Sequence, residues 1–194
     1  MTRALRLVLA SASPRRLDIL NMIGAPPDAV IGADLDESEQ KGEGVREYVT
    51  RLAAEKAAAV AARAPGALIL AADTAVAVGR RILPKAETED QARACLDLMS
   101  GRAHRVWTGV ALAVPGSPFR LRAVESRVKV ARLSGSEIAA YVASGEWRGK
   151  AGGYAIQGLF ARHIENVIGS HTNIVGLPAR ETYNLLKGAG LFAG

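Results

Sequence analysis

The stretch from Leu68 to Val78 constrains the fold of this 194-residue chain more than any other. Its aliphatic residues are dense enough for a strand buried on both faces, but Asp73 and Thr74 interrupt them. An ionised carboxylate without a partner in a dry core costs on the order of several kcal/mol. We therefore expect Asp73 to meet a cation, a metal ion or a solvent-filled cleft. An Asp that caps the following turn would give the same pattern.

Composition narrows the class of protein. The chain is 49% hydrophobic and 23% charged, as in a globular protein, and its length suits a single domain, residues 1–194. A formal net charge of +6 favours anionic partners. Because the basic residues are scattered and aromatic residues make up only 5%, we expect a small phosphorylated substrate rather than a nucleic-acid polymer or a membrane surface.

Cysteine usage and the N-terminus indicate a compartment. Cys95 is the single cysteine, which excludes an internal disulfide and is typical of a reducing cytosol. The first six residues lack the apolar core and cleavage site of a secretion signal, and no stretch approaches the length of a membrane-spanning helix. We expect a cytoplasmic protein.

Periodicity and turn residues predict a mixture of strands and helices. Strands are predicted at 5–10, 29–33, 68–78, 106–114, 121–133 and 160–168, and 81–85 is predicted to return from a turn as a short arm. Helices are predicted from Pro14, over 45–64, behind capping boxes at Thr88 and Ser134, and from 176–178 to Lys187. Residues 169–173 are predicted to form a loop, and 106–114 and 121–133 to form an antiparallel pair.

Ser11–Arg16 predicts a helix N-terminus, with Ser13 as N-cap and Pro14 in the first turn. Such an end presents free backbone N–H groups and a positive dipole, and Ser11, Ser13, Arg15 and Arg16 add further donors. These groups could hold a triphosphate. The alternative is an ordinary capped helix with solvated arginines.

Three other segments leave comparable alternatives. Lys56 lies near the apolar side of its predicted helix and could extend to solvent or neutralise a phosphate at a cleft. The acidic group Asp34–Glu37 could bind a divalent cation or form a solvated loop. The glycines of 149–158 suit a loop that contacts a ligand closely, or tight turns.

Several familiar catalytic templates are missing from the sequence. The three histidines, His104, His163 and His171, do not have the spacing of zinc ligands on a helix. The sequence also contains no nucleophile elbow, Walker loop or dinucleotide fingerprint. What remains is a pair of hard oxygen ligands, Asp73 and Glu37, with positive groups at Arg15, Arg16, Lys56, Lys85 and Lys150. This set suits magnesium-assisted attack on a phosphate ester.

A series of short motifs extends over nearly the whole chain. They are Ser11–Arg16, Asp34–Glu37, Leu52–Ala57, Ala72–Thr74, Ser100–His104, Thr108–Val110, Lys150–Gly158 and Gly169–Pro178. Each motif alone is weakly specific. In this order and spacing, together they resemble the Maf family of nucleoside triphosphate pyrophosphatases.

The resemblance implies an α/β fold with an elongated mixed β-sheet flanked by helices, in two lobes with the nucleotide in the cleft between them. It implies hydrolysis of a nucleoside triphosphate to the monophosphate and pyrophosphate with a divalent metal, Mg or Mn. Asp73 would be the proton acceptor for the attacking water, and Glu37 and Asp73 the metal ligands. The phosphate-binding residues would be Ser11, Ser13, Arg16, Lys56, Lys85 and Lys150. Arg15, Thr74 and Gln157 would select the base, and a homodimer is compatible with the resemblance.

The sequence departs from the common family pattern at two positions, and two alternatives to the proposed activity stay open: action on 7-methyl-GTP and a non-catalytic role. Pro84-Lys85-Ala86 stands where relatives commonly have Gly-Lys-Pro, and Gly149 where an Asp is frequent, so the geometry around both lysines could differ. The Ile-Gln-Gly sequence at 156–158 places the chain nearer the branch that acts on dTTP and UTP than the branch that acts on 7-methyl-GTP. The second alternative is a non-catalytic nucleotide-binding regulator of septum formation.

Overall fold

A computed structural model describes residues 5–192, so the N-terminal segment 1–4 and the last two residues of the predicted domain lie outside it. Within the described residues the chain forms seven strands, six α-helices and one 3-10 helix. The strands are β1 Leu7–Leu9, β2 Ala29–Val30, β3 Leu68–Val78, β4 Arg81–Leu83, β5 Ala103–Ala113, β6 Arg120–Val130 and β7 Ile164–Ile168. The helices are α1 Pro14–Met22, α2 Val45–Ala61, α3 Glu89–Met99, α4 Gly135–Ala143, α5 His171–Val175 and α6 Ala179–Gly188, with the 3-10 helix at Leu159–His163. No helix among residues 5–192 is long and apolar enough to cross a membrane.

The described strands form one mixed sheet in the order β2-β1-β3-β5-β6-β7, with β4 paired to β3. β1 is parallel to both β2 and β3, whereas β4 is antiparallel to β3 and β7 is antiparallel to β6. Between Leu68 and Ala72 β3 is buried without interruption, as expected for a strand covered on both faces. The predicted mixed α/β sheet with flanking helices is confirmed.

The chain divides into two compact units. The first unit comprises the chain up to Asp73, Thr108–Val124 and the chain from Gly176 onward. The second unit comprises Thr74–Trp107 and Glu125–Val175. Each unit has its own buried apolar core.

The core of the first unit is built largely from small residues. Ala53 and Ala57 of α2 pack with Ala71 of β3 and Ala111 of β5. Small side chains let a helix lie close to a sheet, and α2 approaches the sheet closely at Gly109 of β5. A Cβ atom at Gly109 would overlap the backbone carbonyl of Val49 in α2, which accounts physically for the glycine in the Thr108–Val110 motif.

Gly109→Ala is therefore expected to destabilise the protein by roughly 1–3 kcal/mol, because the added methyl group must push backbone away from backbone. Urea unfolding would measure the difference. Gly135→Ala is the matched control, since a Cβ at Gly135 meets no atom within 4 Å and its site begins a helix. Equal stability of the two variants would contradict the close approach of α2.

The core of the second unit contains larger side chains. The centroid of the Phe160 ring lies 5.0 Å from that of Tyr141 and 4.9 Å from that of Tyr154, and Trp147 is fully buried in the same core. His104 is 2% exposed and contacts Tyr154, with 2.7 Å between its Nε2 and the tyrosine hydroxyl. Burial lowers the pKa of His104 to about 4, so it is neutral at physiological pH. His104 is thus a core residue of this unit.

The structure corrects two predicted segments. Residues 160–168 do not form one strand, because Leu159–His163 is a 3-10 helix and β7 starts at Ile164. Residues three apart eclipse in a 3-10 helix, which lets Phe160 and His163 pack together. The predicted loop 169–173 includes the start of α5.

Tertiary contacts explain why α5 forms. The Ser170 hydroxyl accepts a hydrogen bond from the Asn173 N–H at 3.2 Å. The buried Asn173 amide donates to Val106 O and Ser126 Oγ, which fixes the turn against β5 and β6.

The predicted capping boxes at Thr88 and Ser134 are both confirmed.

Candidate active site

Asp73, the carboxylate that interrupts β3, is 2% exposed and pairs with Lys56 of α2. The distance from Lys56 Nζ to Asp73 Oδ1 is 2.6 Å, and Lys56 is itself only 6% exposed. Lys56 points inward because it falls within the buried stripe of α2, four residues after Leu52 and four before Val60. Asp73 therefore meets a cation, as expected, and Lys56 does not extend to solvent.

Glu37 brings a second carboxylate to the same ammonium group. Its Oε1 lies 2.6 Å from Lys56 Nζ, and 30% of its side chain is exposed. Two carboxylates around one lysine carry a net negative charge, which favours a further cation. Glu37 thus belongs to a charged cluster rather than to a fully solvated loop.

The donor chemistry of Glu37 and Asp73 fits a magnesium ion. Magnesium is commonly bound through one or two carboxylates and takes its remaining ligands from water and substrate phosphates. Within residues 5–192, no group of three or more His, Cys, Asp or Glu side chains could hold a metal. These two carboxylates could therefore hold a metal that shares its coordination with a phosphate, but not one enclosed by protein ligands alone.

Arg16 lies at the start of α1, within the electrostatic reach of the cluster. Its Nη1 donates to Ser11 Oγ at 3.0 Å, and its Nε donates to the carbonyl of Gly176 at 2.8 Å. Desolvation lowers the pKa of the guanidinium, while the charge of Asp73, foremost, and that of Glu37 oppose this effect. Arg16 is half-buried and held in place, so it is not a simply solvated arginine.

Ser13 occupies the N-cap position of α1 as predicted, although its hydroxyl makes no capping hydrogen bond. Its backbone N–H donates to Ser11 Oγ at 3.2 Å. Arg15 follows Pro14 in the first turn of the helix and is half-buried. The structure therefore gathers Ser11, Arg16, Glu37, Lys56 and Asp73 in the first unit, with Ser13 and Arg15 beside them in the chain.

Sequence reasoning missed two residues of α2 that hold Glu37 and the neighbouring Ser38 by their backbone carbonyls. The Tyr48 hydroxyl donates to the backbone carbonyl of Glu37 at 2.8 Å. Arg51 donates to the carbonyl of Ser38 at 3.1 Å and to both carboxylate oxygens of Glu43 at 2.7 Å. Burial, foremost, with the negative charges of Asp73 and Glu37, raises the pKa of Tyr48 to about 12. A usable signal existed, because Tyr48 precedes Lys56 by eight residues and so shares its side of α2.

Thr74, Lys85, Lys150 and Gln157 belong to the second unit. The segment containing Lys85 runs antiparallel to the glycine-rich segment, with Lys85 opposite Ala151. Backbone hydrogen bonds join Ala86 N–H to the carbonyl of Lys150 at 3.2 Å and Gly152 N–H to the carbonyl of Pro84 at 3.0 Å. The Pro84-Lys85-Ala86 variation therefore still places the two lysines on neighbouring backbone segments.

Gln157 projects from the glycine-rich segment. Residues 152–156 are all buried, whereas Gln157 is exposed. Gly152 and Gly153 both have positive φ, and a Cβ at Gly152 would press on Val76. The glycines therefore serve a tight, buried turn, and the amide of Gln157 emerges from it. Thr74 directly follows Asp73 in β3 and is half-buried.

Comparison with known proteins gives a consistent picture. A family model described as Maf-like protein matches residues 6–189. A dTTP/UTP pyrophosphatase of Caulobacter vibrioides is 58% identical over 184 residues, covering 95% of this chain and 95% of that protein. A dTTP/UTP pyrophosphatase of Maricaulis maris is 60% identical over 188 residues, covering 95% of this chain and 88% of that protein.

A solved structure shares the fold. The structure of a HAM1 protein from Coxiella burnetii aligns with this structure with a TM-score of 0.52. The alignment covers 95% of this chain and 99% of the HAM1 chain. The sequence identity is 17%, so this likeness concerns the fold alone.

Proposed function

This chain belongs to the Maf-like protein family, and we propose that it hydrolyses dTTP and UTP to the nucleoside monophosphate and pyrophosphate. Relatives at 58% and 60% identity bear the name dTTP/UTP pyrophosphatase. The structural observation that supports the proposal most is the cluster in which Lys56 binds both Asp73 and Glu37. A buried carboxylate beside a half-exposed one suits the hydrolysis of a highly charged phosphate chain.

We propose that the reaction needs a divalent metal, Mg or Mn, held by Glu37 and Asp73. Hard carboxylate oxygens suit either ion. When bound, the metal would neutralise phosphate charge and polarise the phosphorus–oxygen bond.

The side chains of the first unit would divide the remaining work. Lys56 donates to Asp73 Oδ1, so Oδ2 is the oxygen that would accept a proton from the attacking water. Water supplies the new P–O bond, the α–β phosphoanhydride bond breaks, and pyrophosphate leaves. Arg16 and Lys56 would bind phosphate oxygens by charge-assisted hydrogen bonds.

The other phosphate-binding roles, of Ser11, Ser13, Lys85 and Lys150, rest on their donor chemistry and on the family resemblance. The same applies to Arg15, Thr74 and Gln157 in base selection. The Gln157 amide offers both a donor and an acceptor, so it can pair with the adjacent N–H and carbonyl of thymine or uracil. The positively charged ring of 7-methylguanine would be better served by a carboxylate. We also propose a cytoplasmic location, in keeping with the free, buried thiol of Cys95.

We expect the purified protein to release pyrophosphate from dTTP and UTP with a catalytic efficiency at least roughly ten-fold above that for 7-methyl-GTP, since unpaired polar groups penalise the wrong base. A panel of nucleotides assayed with magnesium, manganese or chelator would measure this. Gln157→Glu should shift the ratio towards 7-methyl-GTP.

Other outcomes identify other functions. If the parent protein hydrolyses 7-methyl-GTP better than dTTP and UTP, the proposed base preference is wrong, but the proposed pyrophosphatase reaction still stands. Nucleotide binding without turnover would support the regulator of septum formation instead. Tight, steeply salt-dependent binding of oligonucleotides would indicate a polymer as the partner.

A further inference from the structure

The turn that carries Gln157 is held by groups outside the glycine-rich segment. Glu146, which follows α4, directs both oxygens of its carboxylate to this region. Its Oε1 accepts the N–H of Leu159 at 2.9 Å, and its Oε2 accepts the hydroxyl of Tyr141 at 2.9 Å. The Tyr141 hydroxyl in turn accepts the N–H of Ala155 at 3.2 Å.

These contacts are symmetrical about Gln157. Ala155 lies two residues before it and Leu159 two residues after it, and both backbone N–H groups are tied to the Tyr141–Glu146 pair. The five-residue segment 155–159 therefore cannot change its span without breaking a hydrogen bond to this pair. A short segment fixed at both ends presents its central side chain in a narrow range of positions.

The pair is itself rigid. Tyr141 is 1% exposed and lies in the aromatic core, so its hydroxyl cannot move far. Burial, followed by the hydrogen bond to Glu146, raises the pKa of Tyr141, which keeps the hydroxyl protonated and able to donate. A Cβ at Gly158 would overlap the Glu146 carboxylate, so the glycine lets the carboxylate lie directly against the turn.

Glu146 also reaches the other end of the glycine-rich segment. Its backbone carbonyl accepts a hydrogen bond from the ammonium group of Lys150. One residue thus contacts Lys150 through its main chain and the Gln157 turn through its side chain.

We propose that Glu146 and Tyr141 are positioning residues that set the place of the Gln157 amide and thereby the selection of the base. The inference rests on the proposed function, because Gln157 selects a base only in a nucleotide-binding protein. UTP and CTP provide the sharpest comparison, since they differ at the two adjacent ring positions that an amide would contact. The UTP-to-CTP ratio of catalytic efficiency is the quantity that Glu146 should control.

Glu146→Gln and Tyr141→Phe are each expected to reduce this ratio roughly three- to ten-fold, as expected when a hydrogen-bonded group is displaced. Gln157→Ala should have a similar effect in the parent but less than about a two-fold additional effect in Glu146→Gln, because residues acting through one another are not additive. Full additivity would overturn the proposal, as would an unchanged ratio in both variants. Glu165→Gln removes an exposed carboxylate from β7 in the same unit and serves as the control.

The test does not depend on turnover. The same ratio can be measured as affinities for α,β-imido analogues of UTP and CTP by calorimetry, with melting temperatures to confirm folding. If the parent binds these analogues but releases no pyrophosphate, the proposed reaction fails while the positioning role is still decided by the affinity ratio.

Hydrogen exchange at the amides of Ala155 and Leu159 should accelerate in Glu146→Gln and stay unchanged in Glu165→Gln. Unchanged exchange in both would overturn the proposal, as would a parent that binds neither analogue.

Discussion

Asp73→Asn is expected to lower turnover of dTTP by roughly 10²- to 10⁴-fold, the usual contribution of a general base. Asparagine keeps the shape of the side chain but can no longer accept a proton. It can still accept the hydrogen bond from Lys56, which lies 2.6 Å from Oδ1 in the parent. The loss should therefore appear mainly in kcat, since the phosphate-binding side chains remain.

Pyrophosphate release at saturating nucleotide and metal would measure the effect, with circular dichroism to confirm that the variant is folded. Asp97→Asn provides the matched control, because Asp97 is an exposed carboxylate on α3. We expect that control to retain parental activity. A folded Asp73→Asn protein with a near-parental rate would remove Asp73 from the reaction.

The elements that the sequence predicted well are those with local signals. The aliphatic run of β3, the capping boxes at Thr88 and Ser134, and Pro14 in the first turn of α1 each act within a few residues. Such signals need no knowledge of the rest of the fold. They were enough to order most strands and helices correctly.

The segments predicted wrongly depend on distant partners. Phe160 looks like a strand residue, but it packs on Tyr141 and Tyr154, and that cluster selects a 3-10 turn. Asn173 looks like a loop residue, but its amide donates to Val106 and Ser126 far away in the chain. Tertiary contacts of this kind override local preference.

In the candidate site, too, local sequence signals could be read in advance, whereas contacts between residues distant in the chain could not. A carboxylate within a buried strand indicated that Asp73 needs a partner, but the residue pattern alone could not identify Lys56 as that partner. Helical spacing places Tyr48 on the side of α2 that carries Lys56, but its hydrogen bond to the Glu37 carbonyl is seen only in the structure. Glu146 has no such signal, and its role follows from its hydrogen bond to Leu159. Residues that position others become visible only when the fold brings their partners together.

Lys56→Met is expected to destabilise the protein by about 3–5 kcal/mol, the usual effect of removing one partner of a buried ion pair. Methionine retains most of the apolar stem, so little packing is lost. What remains is the carboxylate of Asp73, 2% exposed, without the ammonium group that lay 2.6 Å away. Glu37 loses the same cation, but its side chain is 30% exposed and can be hydrated.

The double variant Lys56→Met with Asp73→Asn separates charge from packing. Because a neutral amide needs no counter-charge, the double variant should recover most of the lost stability, giving a coupling on the order of 2–3 kcal/mol between the two sites. Urea unfolding of the parent, both single variants and the double variant measures this, with Lys41→Met, at an exposed lysine, as the control.

Magnesium should stabilise Lys56→Met more than the parent, since a metal held by Glu37 and Asp73 would replace the missing cation. If Lys56→Met unfolds at the parental urea concentration, the ion pair does not stabilise the fold. If instead the single and double variants are equally unstable, the loss comes from packing.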